Sequence, residues 1–172
     1  GKTALITGAA RVGGAVAEAL AARGCRVALS YRFSRNAAEK TARAIQRRGG
    51  ETLLLRADLA RDIEARRLVA AVLRRWGRLD VLINMASLYE RTSLAALRRP
   101  GAATRALRRS LSVDLESAHR LAHVAAPAME KNGAGRIINF TDWVAASGRP
   151  RYKGYGPYYI AKAAVKGLTE TL

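Results

Sequence analysis

Short apolar runs and helix-period segments alternate along this chain in the order of successive β-α-β units. Lys2–Thr7 reads as a first strand. Gly14–Arg23 follows as a helix with Val16, Ala17, Leu20 and Ala21 on one face. Arg26–Tyr31 predicts a second strand, Asn36–Arg48 a second helix, Glu51–Arg56 a third strand and Asp62–Trp76 a third helix. Leu79–Asn84 predicts a fourth strand whose apolar Val81, Leu82 and Ile83 suit burial on both faces. An irregular stretch, Ala86–Pro100, precedes a helix through Leu107–Met129 and a fifth strand, Arg136–Thr141. A loop rich in Gly, Pro and Tyr then leads to a helix starting near Pro157. No repeat, low-complexity tract or linker interrupts the pattern. The expectation is one domain over residues 1–172, α/β in class, with a Rossmann-type doubly wound parallel sheet.

Composition changes that picture little. Hydrophobic residues make up 49% and charged residues 26%, a globular balance. The single cysteine, Cys25, excludes an internal disulfide, reads as a small apolar packing residue and fits a reducing cytoplasm. No apolar run is long enough to span a bilayer, so no membrane partner is expected. The charge stands out, with 31 Lys+Arg against 13 Asp+Glu and a net +18. The arginines come in scattered pairs, such as Arg47-Arg48 and Arg74-Arg75, on the polar faces of predicted helices. Aromatics are only 6%, too few for a base-stacking platform, so no specific nucleic-acid partner is expected.

The first candidate site is the turn Thr7-Gly8-Ala9-Ala10-Arg11-Val12-Gly13-Gly14, between the first strand and the first helix. Glycines there let a backbone turn tightly and approach a pyrophosphate at a helix N-terminus. Gly8, Arg11, Val12 and Gly14 are therefore candidate dinucleotide contacts. The second strand ends without the acid that would receive a ribose 2′-hydroxyl and offers Arg32 and Ser34 instead. A guanidinium and a hydroxyl suit a 2′-phosphate, which makes NADPH the expected cofactor.

The second site is Tyr158-Tyr159-Ile160-Ala161-Lys162, where Tyr158 and Lys162 share one helical face. A nearby ammonium stabilises a tyrosinate and so tunes a phenol for proton transfer. Upstream, the fifth strand ends Asn139-Phe140-Thr141-Asp142, delivering polar groups to the sheet edge where open α/β folds bind ligands.

The glycine turn, Asn84-Met85-Ala86-Ser87, the polar end of the fifth strand and the Tyr-xxx-Lys helix occur in the order of the short-chain dehydrogenase/reductase superfamily, which the whole chain resembles. The resemblance implies Tyr158 as proton donor and Lys162 as the residue that lowers its pKa and holds the nicotinamide ribose. It places Asp58 and Leu59 beside the adenine, and Asn84, Ala86 and Ser87 along the cofactor groove. Asp114 stands where the family has an asparagine that supports catalysis. Asp142 replaces the usual serine. Together with Ser87 and the aromatic Tyr89, it makes the chain resemble pteridine reductases and dihydromonapterin reductases. On that resemblance Tyr89, Asp142, Trp143 and Tyr158 would meet the substrate, with Asp142 relaying a proton or accepting from a pterin edge.

Departures from the family pattern are Val12 for glycine or, in pteridine reductases, arginine, Gly13 for an apolar residue, Met85 for asparagine and Asp114 itself. The loop from Asp142 to Tyr158 is about three residues longer than usual, so residues 149–156 are expected to reshape the substrate mouth. Glu116, His119 and His123 share a helical face but lack a further ligand, so no metal is expected. Family members continue through further strands, so the chain is expected to be C-terminally incomplete and poorly active alone, and homo-oligomeric when full length. The expected activity is NADPH-dependent reduction of a small molecule, possible substrates being pterins. The alternatives are a carbonyl or sugar reductase in which Asp142 is structural, and a nucleotide-binding sensor that has lost the chemistry.

Overall fold

The computed structural model describes residues 1–147 and 152–172. Five strands form one fully parallel sheet in the order β3-β2-β1-β4-β5. They are β1 (Thr3–Thr7), β2 (Arg26–Tyr31), β3 (Thr52–Arg56), β4 (Val81–Asn84) and β5 (Arg136–Asn139). The helices are α1 (Val12–Ala21), α2 (Arg35–Arg47), α3 (Asp62–Trp76), α4 (Leu94–Leu97), α5 (Ala102–Ser110), α6 (Ser117–Lys131), α7 (Trp143–Ala146) and α8 (Gly156–Thr171). The reversal of strand order falls between β1 and β4, the switch point at which such sheets open a crevice.

Every residue of the central strand β1 is buried, as a strand covered on both faces must be. On one face Ile6, Val27, Leu29 and Ile83 pack with Ala17 of α1 and with Ala38 and Ile45 of α2. On the other, Leu5 and Leu82 pack with Leu68, Val69 and Val72 of α3 and with Leu121, Ala125 and Met129 of α6. Helix α3 ends where the sequence signals it: Asp62 and Glu64 lie in the first turn, Arg74 and Arg75 in the last, and Gly77 at φ 72° ends it in the left-handed conformation. The paired arginines at 47–48, 66–67, 74–75, 98–99 and 108–109 are exposed, as solvated helix faces should be.

Two predicted elements differ in instructive ways. The single helix expected over Leu107–Met129 is α5 and α6 joined by a π-helical turn, Leu111–Glu116, with wider hydrogen-bond spacing. Asp114 lies in that turn, buried and bonded to the loop after β4. The fifth strand stops at Asn139 instead of Thr141 because the next groups turn to α8. The Phe140 carbonyl accepts from Lys162 Nζ at 2.9 Å, and Thr141 Oγ1 donates to the Lys162 carbonyl at 2.6 Å. The expected irregular stretch also contains the short α4, which Ser93 caps by accepting from the Ala96 N–H. Strand β5 forms one edge of the described sheet, with Ile138 and Phe140 part-exposed.

At the opposite, N-terminal end of the strands, Asp80 is buried. It accepts from the Thr3 N–H at 2.8 Å and from two nitrogens of Arg78 at 2.5 and 2.9 Å.

Candidate active site

Parallel register lines up the polar strand ends. Thr7 pairs with Ser30 on one side and with Asn84 on the other, and Asn84 pairs in turn with Asn139. Thr7 Oγ1 accepts from the Met85 and Ala86 N–H groups at 3.0 and 3.1 Å, pinning the loop after β4 across the end of β1. Above this row lies a cavity of about 650 Å³. It is lined by the glycine turn, the end of β2, the loops after β3 and β4, and the α8 face carrying Tyr158 and Lys162.

The glycine turn is built differently from the pattern its sequence resembles. Gly8 takes φ +86°, and a Cβ there would sit 3.1 Å from Met85 and Ala86 backbone atoms. A Cβ on Gly13 would meet the Gly8 carbonyl oxygen at 1.9 Å, whereas Val12 points outward with 57% exposure. The glycine that lets the helix close on the turn has therefore moved one residue along. The strain appears beside it: Arg11 has φ +49°, the only positive φ among the described non-glycine residues. Gly8, Arg11 and Val12 line the cavity, and Gly13 joins them. Gly14 does not; its missing Cβ admits Thr41 of α2, so it serves helix packing. The cradle left by Gly8 and Gly13, open above the first turn of α1, fits a dinucleotide pyrophosphate.

Arg32 and Ser34 line the far end of the cavity. Arg32 pairs with Asp58 at 2.9 Å and lies 4.6 Å from the Phe33 ring centroid. Asp58 and Leu59 border the cavity, and Asp58 also steadies the guanidinium. That pair is part-exposed and contributes at most about 1 kcal/mol to folding, so its value lies in holding Arg32 in place.

Around Tyr158 and Lys162 of α8, the segment after β5, the start of α7, the π-helical turn and the loop after β4 come together. Tyr158 Oη donates to Asp142 Oδ2 at 2.7 Å, while Asp142 Oδ1 accepts from Val144 N–H at 2.8 Å and so caps α7. Lys162, 4% exposed, donates to Phe140 O and lies 3.2 Å from Asp114 Oδ1. Asp114, 3% exposed, also accepts from Ser87 Oγ and from Leu88 N–H at 3.0 Å. Burial drives the Tyr158 phenol well above its ordinary value, and the neighbouring Asp142 and Asp114 carboxylates push it the same way. Burial also raises Asp114, against the pull of Lys162, Ser87 and the Leu88 N–H.

Tyr89 stacks on Tyr155, with centroids 4.3 Å apart, and meets Tyr158 edge-on at 4.8 Å. These rings form an aromatic wall beside the phenol. Ala86 and Ser87 line the cavity; Asn84 does not, and its Nδ2 donates instead to Asn139 Oδ1 across the two strands. Trp143 is 62% exposed, next to Asp142 but outside the cavity lining. Glu116 pairs with Arg120, and His123 Nδ1 lies 3.0 Å from the His119 carbonyl oxygen. Within the stretch expected to reshape the mouth, residues 149–151 lie outside the described residues; Gly154 accepts from the Thr92 N–H at 2.7 Å, tying the two loops together. Among the lining residues that sequence reasoning missed are Gly13, Tyr31, Met85, Leu88, Val113 and Phe140. Each follows or precedes a recognised motif residue, but apolar lining carries no chemical signal.

Comparison with known proteins agrees with this geometry. The model of the short chain dehydrogenase family matches residues 2–172. A 3-oxoacyl-(acyl-carrier-protein) reductase of Staphylococcus epidermidis is 31% identical over 171 residues, covering 99% of this chain and 67% of its own. Its counterpart in Synechocystis is 33% identical over 172 residues, covering 99% and 66%. The chain thus spans about two thirds of the length of these relatives. Among solved structures, a short-chain dehydrogenase/reductase from Serratia marcescens superposes with TM-score 0.86 at 31% identity, over 99% of this chain and 66% of that one. A metagenomic short-chain oxidoreductase in complex with NADP gives TM-score 0.86 at 27% identity, over 99% and 74%. No helix of the described residues is long and apolar enough to cross a membrane. With its glycine cradle at one end of the cavity and Tyr158 beside Lys162 at the other, the chain belongs to the short-chain dehydrogenase family of NAD(P)-dependent oxidoreductases.

Proposed function

We propose that this protein is a reductase that binds NADPH and reduces an electrophilic C=N or C=O bond of a planar, pterin-like small molecule. The observation that carries the reading is the 2.7 Å bond from Tyr158 Oη to Asp142 Oδ2. A carboxylate in that place holds the phenol in its protonated form, the form a reductase needs as acid. Bound in the cavity, the dinucleotide would supply hydride to carbon. Tyr158 delivers its proton to the nitrogen or oxygen of the same bond, so one C–H and one N–H or O–H bond form as the π bond is lost. Solvent then restores the phenol proton. Lys162 and Phe140 hold the base of the site, and the Tyr89–Tyr155 pair offers a flat surface on which a ring can lie.

The NADPH preference rests on Arg32, Ser34 and Arg11 around one end of the cavity, with no acid at the end of β2. Asp58 is the nearby carboxylate, and it is engaged by Arg32. A second reading, reduction of a 3-oxoacyl carbonyl, is favoured by the activity named for the Staphylococcus and Synechocystis relatives. In that case Asp142 serves chiefly as the α7 cap.

NADPH oxidation with dihydropterins and with oxoacyl thioesters separates these readings. Tyr158→Phe should lower turnover by about 10²–10⁴-fold while leaving dinucleotide affinity nearly unchanged. Loss of dihydropterin turnover in Asp142→Ser supports the pterin reading; turnover of thioesters that survives Asp142→Ser overturns it in favour of the second. NADPH binding without oxidation of any substrate overturns both and leaves a nucleotide sensor.

A further inference from the structure

The loop after β4 and the segment before α8 meet beside the main cavity and bring two cations to one place. The Gly154 carbonyl accepts from the Thr92 N–H at 2.7 Å, which fastens the two segments together. An open pocket of about 420 Å³ lies there, lined by Tyr89, Arg91, Tyr152, Lys153 and Tyr155. Tyr89 also lines the main cavity and meets Tyr158 edge-on, so the pocket adjoins that cavity on the side of the reacting phenol. We propose that Arg91 and Lys153 form an anion subsite, and that the substrate is an acid, a planar molecule carrying a carboxylate or phosphate beyond the ring that is reduced. The inference rests on the reductase reading above and names a substrate class for it.

The position of Arg91 is built into the backbone. Gly154 takes φ +88°, a left-handed conformation that favours glycine. A Cβ there would lie 3.0 Å from Arg91 Cγ and 3.4 Å from Arg91 Nε. The arginine stem thus lies across the bare Cα of Gly154, and a side chain at that position would push it aside. The residue before this glycine, Lys153, brings the second cation to the same pocket. The carboxylate next to Arg91 in the chain, Glu90, is engaged by Arg109 at 2.8 Å. Among the described residues no acid lines the pocket, and neither Arg91 nor Lys153 is paired with a carboxylate. The paired arginines elsewhere are spread over exposed surface, whereas these two cations converge on one concavity.

The residue types select the ligand. A guanidinium offers parallel donors to two oxygens of a carboxylate or phosphate, and an ammonium adds a further donor without fixing an orientation. Two cations around one concavity repel each other and raise its potential, so an anion that enters relieves both. The rest of the lining is aromatic: Tyr89 and Tyr155 are stacked, and Tyr152 is exposed. Rings beside cations suit a ligand that is flat at one end and charged at the other. A dinucleotide's phosphates would meet Arg11 and Arg32 in the main cavity, whose described lining includes neither Arg91 nor Lys153. The two cations of the smaller pocket are therefore left for the substrate.

The test has one arm that needs no turnover. Benzoate, phenyl phosphate and the neutral benzamide are titrated calorimetrically into the protein, with and without excess NADP. The same titrations are run on Arg91→Gln, Lys153→Gln and the double variant, all at exposed positions. At least one anion should bind about tenfold more tightly than benzamide, and the tighter of the two names the group as carboxylate or phosphate. Each single variant should lower that preference, and the double variant should abolish it. An anion that binds no better than benzamide overturns the proposal. So does a preference that survives in the double variant, or one that vanishes with NADP, because the anion would then sit at the cofactor end. The second arm compares dihydropterins bearing a side-chain carboxylate or phosphate with the neutral hydroxymethyl dihydropterin. The ratio of kcat/KM, acidic over neutral, should fall about tenfold in the double variant, through KM. A ratio that holds overturns the assignment of the pocket to the substrate. If no dihydropterin is turned over, the pterin reading fails and the calorimetric preference alone decides the subsite.

Discussion

The two ends of the parallel sheet each bury an aspartate, and the chain puts them to opposite use. Asp80, below the N-terminal ends of the strands, is gripped by the Arg78 fork and by the Thr3 N–H. The Arg78 hydrogen bond outweighs burial and holds the Asp80 carboxyl below its ordinary range. Asp114, above the C-terminal ends, is as well supplied with donors, yet burial wins and raises it. The difference lies in the partner. A part-exposed guanidinium keeps its hydration and offers two parallel bonds, while Lys162 is itself buried and offers one contact at 3.2 Å. One carboxylate locks strands together; the other is paired with a buried ammonium beside the cavity, the kind of perturbed group that collects at functional sites.

This contrast should separate the readouts of substitutions at the two ends. The largest effect is expected at Gly13→Ala. Its Cβ would fall 1.9 Å from a backbone oxygen, so the turn must move, at a cost of about 3 kcal/mol in stability and with loss of dinucleotide binding. Thermal unfolding and a fluorescence titration with NADPH read both; unchanged binding would show that the cradle is not where the pyrophosphate sits.

Asp80→Asn should follow, losing about 2–3 kcal/mol of stability while leaving NADPH affinity unmoved. Its pH signature has a definite sign. A carboxyl depressed in the folded state stabilises the protein above the ordinary carboxylate range, and that contribution disappears as pH falls through the lowered value. Acid unfolding curves of the wild type should therefore converge on those of the variant at low pH. A gap that stays constant with pH would refute the ion-pair account.

Arg32→Ala should lower the preference for NADPH over NADH by about tenfold, with a stability change under about 1 kcal/mol. Equal loss of affinity for both dinucleotides would mean that Arg32 reads something other than the 2′-phosphate. The smallest effect, and the only stabilising one, is expected at Arg11→Gly. Relief of φ +49° should add about 1 kcal/mol to stability, measured by denaturant unfolding. A destabilised variant would show that Arg11 earns its strained backbone through contacts in the unliganded protein.

Much of this was legible in the residues, and the misses have causes. Strand and helix positions were readable because a parallel sheet covered on both faces demands continuous apolar runs, such as Leu5-Ile6 and Leu82-Ile83. Tyr158 and Lys162 were readable because a fixed helical spacing puts them on one face. The displaced glycine was visible as an irregular motif, but the 1.9 Å approach that makes Gly13 indispensable belongs to the folded turn. Likewise, Asn84 keeps its motif position but spends its amide on Asn139, a partner 55 residues away that register alone supplies.

What the chain determined by itself was the order of its elements, the face on which each is apolar, and the residue types brought to the C-terminal edge of the sheet. These follow from local periodicity and short-range spacing. What only the tertiary structure decided was how those groups are charged and used: Tyr158 on Asp142, Lys162 on Asp114, Arg32 on Asp58. A hydrogen bond or a pKa depends on which groups meet at a few ångströms and on how much water is excluded around them, and sequence spacing carries neither.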